Sequence, residues 1–129
     1  MAGYSEVIMA RFMRPQYAYA GVPFFDYQVS AGAQEQGAML RLFISVDAHS
    51  HKITRAAFQM YGCGACIAFA DLLCERLLDY HMAQLTSFNT QELAVALELP
   101  RVKMHCTWLA NEALEQVTLE WQSTSASHL

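Results

Sequence analysis

Leu40, Leu42, Ile44 and Val46 fall on every second position, and this alternation makes 38–47 the clearest strand in the chain. Lys52 to Tyr61, rich in β-branched and aromatic residues, reads as a second strand, joined to the first by the hairpin-sized connection Ala48-His49-Ser50-His51. Asp26 to Ala31 is expected as an edge strand, with the polar turn Gly32 to Gly37 after it. Helical spacing takes over elsewhere. Val7, Ile8 and Phe12 predict a short helix over 4–14 that Pro15 ends. From Gly64 to Tyr80, Ile67, Ala70, Leu73, Cys74, Leu77 and Leu78 fill one side of a strong helix, and Asp71, Glu75 and Asp79 make a polar stripe on the other. A helix over about 90–97 begins at Asn89, an N-cap residue with Glu92 placed as in a capping box, and Leu99-Pro100 breaks it. The last helix is expected from about 103–106 to 121, burying Ala110, Ala113, Leu114, Val117 and Trp121. Residues 15–25, with Pro15, Gly21 and Pro23 among aromatics, read as a loop whose Tyr17, Tyr19, Phe24 and Phe25 cover the core. The order helix, antiparallel strands, helices predicts an α+β fold: a small three-stranded antiparallel sheet with helices packed on one face. Residues 1–122 are read as a single domain and 123–129 as a flexible polar tail.

Composition narrows the function classes. The hydrophobic fraction is 54% and the charged fraction only 16%, which points to well-covered elements or an apolar partner surface. The net charge of −4 and the lack of any Lys/Arg run argue against nucleic acid as a partner. No apolar run is long enough to span a bilayer, so no membrane role is expected. Glu6, Arg11 and Arg14 interrupt any signal-peptide core, and the expected location is cytoplasmic. The four cysteines then read as reduced thiols available for metal or sulfur chemistry. No Ser-His-Asp set, catalytic carboxylate pair or phosphate loop is present, and the chain is not read as an enzyme.

The chemistry concentrates at Tyr61-Gly62-Cys63-Gly64-Ala65-Cys66-Ile67, where a strand runs into a helix. Gly62 and Gly64 permit φ > 0 there and the close approach of a metal or a second backbone. A thiol at a helix start is biased toward thiolate by the free N–H groups and the helix dipole. A C-x-x-C pair is equally well explained as two small buried thiols. Lys103-Met104-His105-Cys106 tilts the balance. With Cys63 and Cys66, His105 and Cys106 complete a Cys3His set, a closed zinc arrangement whose soft thiolates also suit iron–sulfur clusters. Cys74, eight residues beyond Cys66 and about 12 Å along the helix axis, is read as core. His49 and His51 are read as solvated turn histidines.

These segments resemble the IscU/NifU-type iron–sulfur cluster assembly scaffolds. The resemblance runs through Tyr4-Ser5-Glu6-Val7, Met39–Asp47, Phe58–Ile67, Asn89–Leu97 and Leu99–Ala110 (LPRVKMHCTWLA), in order and over nearly the whole chain. It implies that Cys63, His105 and Cys106 are metal or cluster ligands for a zinc ion or a [2Fe–2S] cluster. It also implies that Cys106 and Cys63 accept sulfur from a cysteine desulfurase, with Lys103 assisting. Leu99, Pro100, Arg101, Val102 and Lys103 would meet an Hsp70-type chaperone, with its co-chaperone. The departures are specific. The family's Cys-Gly-Asp is Gln36-Gly37-Ala38 here, so one thiolate and one carboxylate are lost. Arg101 stands where the family has a second proline, and Cys66 is an added thiol. Three functions compete: a divergent scaffold in which Cys66 supplies the missing ligand, a cluster-free adaptor that regulates a desulfurase, and a persulfide carrier using Cys106 or Cys63.

Overall fold

The computed structural model describes residues 5–21 and 24–126. Helix α1, Glu6–Met13, is followed by strands β1 (Tyr27–Ala33), β2 (Ala38–Val46) and β3 (Ile53–Tyr61), then helices α2 (Gly64–Leu77), α3 (Thr90–Ala96) and α4 (His105–Ala126). The strands form one antiparallel sheet in the order β1-β2-β3. Leu42 lies opposite Val29 on one side and Phe58 on the other, so the alternating face read from the sequence is continuous across all three strands. That face packs on α2 and α4: Leu40, Leu42, Ile44 and Phe58 are buried with Phe69, Leu73 and Leu77 of α2 and Ala110, Ala113, Leu114 and Val117 of α4. The α+β fold with a three-stranded antiparallel sheet and helices on one face is the fold expected.

The opposite sheet face is not bare. Residues 17–19 run beside the free edge of β3, where the Tyr19 N–H donates to the Phe58 carbonyl and the Phe58 N–H to that of Tyr17 (2.8 and 3.0 Å). Tyr19 then stacks on Phe43 with centroids 4.0 Å apart, and Phe25 tilts against both rings. The loop therefore caps an edge strand and shields Phe43, which would otherwise face water. Phe24 does not join the cover; it is 95% exposed.

Several boundaries and roles differ from the expectation. β1 begins at Tyr27 and runs on to Ala33, because Gly32, at φ +79, turns the chain without breaking the pairing of Ala33 with Ala38. α2 stops at Leu77, since Leu78 is extended and Asp79 has φ 71. A 3-10 turn over Met82–Ser87, not anticipated, buries Met82 and Leu85. α4 continues five residues past 121, and Tyr4 and 127–129 lie outside the described residues. Asp71 is not on a solvated stripe: it is fully buried and accepts from the N–H groups of Gln16 and Tyr17 (2.7 and 2.8 Å) and from Arg11 Nη1 (2.8 Å). Arg11 Nη2 reaches Glu75 at 2.7 Å, so one guanidinium ties α1 to α2. Ser5 caps α1 through Ile8 N–H and donates to the Leu97 carbonyl at 2.6 Å, fixing α1 to the end of α3.

Candidate metal centre

Two helix starts converge at one end of the sheet. β3 leads through Gly62 into Cys63, the N-cap of α2, whose extended backbone hands over to the helix while its thiol makes no capping bond. Gly62 and Gly64 are not at positive φ; the positive-φ glycines are Gly21, Gly32 and Gly37, so the freedom attributed to Gly62 and Gly64 is unused. Cys66 follows one turn into α2. Across from it, Pro100 and a 3-10 turn over Arg101–Lys103 set up α4, which opens on His105 and Cys106. Both helix starts thus contribute thiols to one cluster, and a helix start is a place that favours anionic sulfur.

Cys66 is the hub. Its sulfur lies 3.7 Å from Cys63 Sγ, 3.4 Å from His105 Nε2 and 2.6 Å from Cys106 Sγ. The ligand atoms of Cys66, His105 and Cys106 all fall within 4.8 Å of one another, and among the described residues no other group of three potential ligands does so. Cys63 stands outside that trio and touches it through Cys66. Cys66 and Cys106 are 1% and 3% exposed, while Cys63 and His105 are half-buried. The Cys66 thiol is pushed well above its ordinary range, first by its hydrogen bond with Cys106 and then by burial.

The donor set can be tested against a tetrahedral ion. Two thiolates each about 2.3 Å from zinc are about 3.8 Å apart, and a thiolate and an imidazole about 3.6 Å apart. The Cys63–Cys66 and Cys66–His105 separations, 3.7 and 3.4 Å, match those edges. The Cys66–Cys106 separation of 2.6 Å does not, and one of those sulfurs must swing out by about 1.2 Å for both to ligate. The chemistry of the set, three thiols and an imidazole, fits zinc or iron–sulfur.

The remaining predicted residues sort by distance from this hub. Ala38 borders it: a Cβ built on Gly62 would meet the Ala38 Cβ at 3.8 Å and the Cys66 Cβ at 3.7 Å, so the position that lost its carboxylate still faces the site. Gln36 is exposed on the 3-10 turn Gln34–Gln36. Lys103 is half-buried at the end of the 3-10 turn, two residues before His105. Leu99 and Pro100 are half-buried and Arg101 and Val102 exposed; Pro100 is extended and Arg101–Lys103 form a 3-10 turn, with the Lys103 N–H donating to the Pro100 carbonyl at 2.8 Å. Cys74 is buried in the core, and that burial pushes its thiol well up. His51 packs edge-on against His81 and Trp121. Trp108, 70% exposed on the first turn of α4, is not among the residues read from the sequence; its helical phase, off the face of Ala110, Ala113, Leu114 and Val117, is the signal that marks it as exposed.

Residues 3–127 match the family described as NifU-like N terminal domain. The chain is 33% identical over 126 residues to the iron–sulfur cluster assembly scaffold protein IscU of Escherichia coli, covering 93% of this chain and 94% of that one. It is 34% identical over 95 residues to iron–sulfur cluster assembly protein 1 of Oryza sativa, covering 74% of this chain and 56% of the relative. The chain thus spans little more than half the length of the plant and fungal relatives it matches. Among solved structures, one described as an iron–sulfur cluster assembly scaffold protein for the SUF system of Fervidobacterium islandicum superposes with a TM-score of 0.65 at 16% identity, over 87% of this chain and 93% of the other, a likeness of fold.

Proposed function

The chain belongs to the NifU-like N-terminal domain family, and from that footing we propose that it is a divergent iron–sulfur cluster assembly scaffold that holds a metal ion or nascent cluster on Cys63, Cys66, His105 and Cys106. One observation carries the reading: Cys66, the thiol added to the family pattern, is the sulfur that touches all three of the others. It compensates for Gln36 and Ala38, whose side chains offer no thiolate or carboxylate. A zinc ion or a [2Fe–2S] cluster is the cargo this donor set would take. Metal would displace the Cys66 proton and turn the buried thiol into a ligand. Cys63, the most accessible of the thiols in the cluster, and Cys106 are the sulfur acceptors toward a cysteine desulfurase, with Lys103 beside the site. Cys106, at 3% exposure, becomes reachable only when the start of α4 opens. Leu99–Lys103 is the segment offered to an Hsp70-type chaperone with its co-chaperone, and the cytoplasm is the proposed location.

A specific observation also favours a cluster-free adaptor. At 2.6 Å, Cys66 and Cys106 are too close to ligate one ion without rearrangement. Anaerobic purification with metal analysis and an absorption spectrum separates the two readings. The scaffold reading expects about one zinc, or an iron–sulfur charge-transfer band, per chain in the wild type and in Cys74→Ala, and loss of either in Cys66→Ser and Cys106→Ser. A Cys66→Ser protein that keeps full metal while Cys106→Ser loses it would remove Cys66 from the ligand set. A metal-free wild type that still binds a desulfurase would establish the adaptor.

A further inference from the structure

The three thiols of the cluster are joined through Cys66 and differ in exposure. Cys63 is half-buried, Cys66 Sγ lies 3.7 Å from Cys63 Sγ, and Cys106 Sγ lies 2.6 Å from Cys66 Sγ, where a disulfide bond is about 2.05 Å. The sulfur accessible to a solution reagent is therefore not the one best placed to form a bond. The innermost pair is shielded from solvent, and Cys66 is the one sulfur in contact with both ends.

We propose that in the metal-free protein these three thiols are a disulfide relay: a small-molecule disulfide of the oxidised glutathione class reacts at Cys63, and its oxidising equivalent is passed through Cys66 to rest as a Cys66–Cys106 bond. The Cys63 thiolate attacks one sulfur of the reagent, forming a mixed disulfide and releasing one reagent thiolate. Cys66, its proton taken by the released reagent thiolate, then attacks Cys63 Sγ, expels the second reagent thiolate and forms a Cys63–Cys66 bond. Cys106, its proton taken by that second thiolate, attacks Cys66 Sγ, the Cys63–Cys66 bond breaks, and Cys63 leaves as thiolate. The reagent disulfide gains two electrons and becomes two thiols. Cys66 and Cys106 lose two electrons, their protons pass to the reagent thiolates, and Cys63 ends as it began.

The inward direction has a thermodynamic reason. A Cys63–Cys66 bond spans one helical turn and hardly restricts the unfolded chain. A Cys66–Cys106 bond joins residues 40 apart and ties the start of α2 to the start of α4, removing far more unfolded-state entropy. Both sulfurs already meet in the folded chain. The consequence that oxidation disarms the metal site rests on the scaffold reading above; the relay itself does not.

The test uses the full chain, metal-free, incubated with oxidised glutathione, quenched in acid, alkylated and mapped by peptide mass. The expected product is a Cys66–Cys106 disulfide with Cys63 and Cys74 alkylated. Cys63→Ser is expected to oxidise at least about tenfold more slowly to the same product, because the buried pair loses its accessible partner. Cys66→Ser should stop at a glutathione adduct on Cys63. A Cys63–Cys66 end product, a persistent adduct on Cys63 in the wild type, or equal rates in wild type and Cys63→Ser would each overturn the relay. Preloading with zinc tells the two readings apart. Suppressed oxidation supports both, whereas unsuppressed oxidation with the same mapped product keeps the relay and refutes zinc ligation by these thiols.

Discussion

At the scale of single residues, one thiol and one carboxylate join elements far apart in sequence: Cys66 meets Cys106 of α4, and Asp71 holds Arg11 of α1 and the backbone of residues 16–17. Helical spacing put Cys66 on the same side as Cys63, and the structure has the two sulfurs in contact. Its approach to Cys106 was not legible, because a distance between residues 40 apart depends on how α2 and α4 cross, which no local pattern encodes. Asp71 was misread for the same reason. A carboxylate repeating every fourth residue normally marks a solvated stripe. Here the partners that bury it, Arg11, Gln16 and Tyr17, come from more than fifty residues earlier in the chain. Asp71→Ala removes the acceptor for two backbone N–H groups and one guanidinium arm, and is expected to lower stability by about 3 kcal/mol. Glu75 cannot compensate, since its exposed pairing with the other arm is worth little. A denaturation midpoint unchanged in Asp71→Ala would show that α1 is held in place without this carboxylate.

At the scale of elements, the strong periodicities were reliable and the weak ones were not. The period of two over 38–46 and the apolar faces of α2 and α4 gave the sheet and its helical layer. The 3-10 turn over Met82–Ser87 escaped because two inward residues, Met82 and Leu85, set no period long enough to read. The extension of β1 turned on Gly32, which looked like part of a polar turn. Its φ of +79 and the 2.4 Å that would separate an added Cβ from the Ala38 carbonyl oxygen explain why glycine is needed. Leu109 of α4 closes in from the other side. Gly32→Ala is expected to lose at least about 2 kcal/mol and to disturb the start of β2 beside the thiol cluster. Gly37→Ala, also at positive φ but with no atom within 4 Å of the added carbon, should lose only about 1 kcal/mol. Denaturant midpoints at constant slope compare the two. Equal losses would mean that backbone conformation alone, and not the contact with Ala38 and Leu109, sets the requirement at Gly32.

At the scale of the whole molecule, the low charged fraction points to well-covered elements or an apolar partner surface, and the structure has exposed apolar side chains on the segments that build the thiol cluster. Val102 is 81% exposed before α4, and Trp108 is exposed on its first turn. Both flank His105 and Cys106 in sequence, so a partner that grips them is positioned to bias how far the start of α4 opens. Arg101 is the departure from the family pattern in this stretch, and the local backbone says what restoring proline would do. Pro100 sits at φ −61 and ψ 148, the extended conformation that a following proline requires. Position 101 is the first of its 3-10 turn, where a proline fits because the N–H has no partner within the turn. Arg101→Pro should therefore fold normally and narrow the conformations of the unbound segment. On the proposed role of Leu99–Lys103, it should tighten binding to an Hsp70-type chaperone by about twofold to fivefold, the range that a compatible proline supplies through chain entropy. Titration calorimetry with the chaperone, run beside Val102→Ser, decides the matter. Tighter binding in Arg101→Pro with weaker binding in Val102→Ser assigns the segment to the partner. Unchanged affinity in both variants would leave Leu99–Lys103 as the connector that sets the start of α4, and Trp108 as the apolar contact still to be matched to a partner.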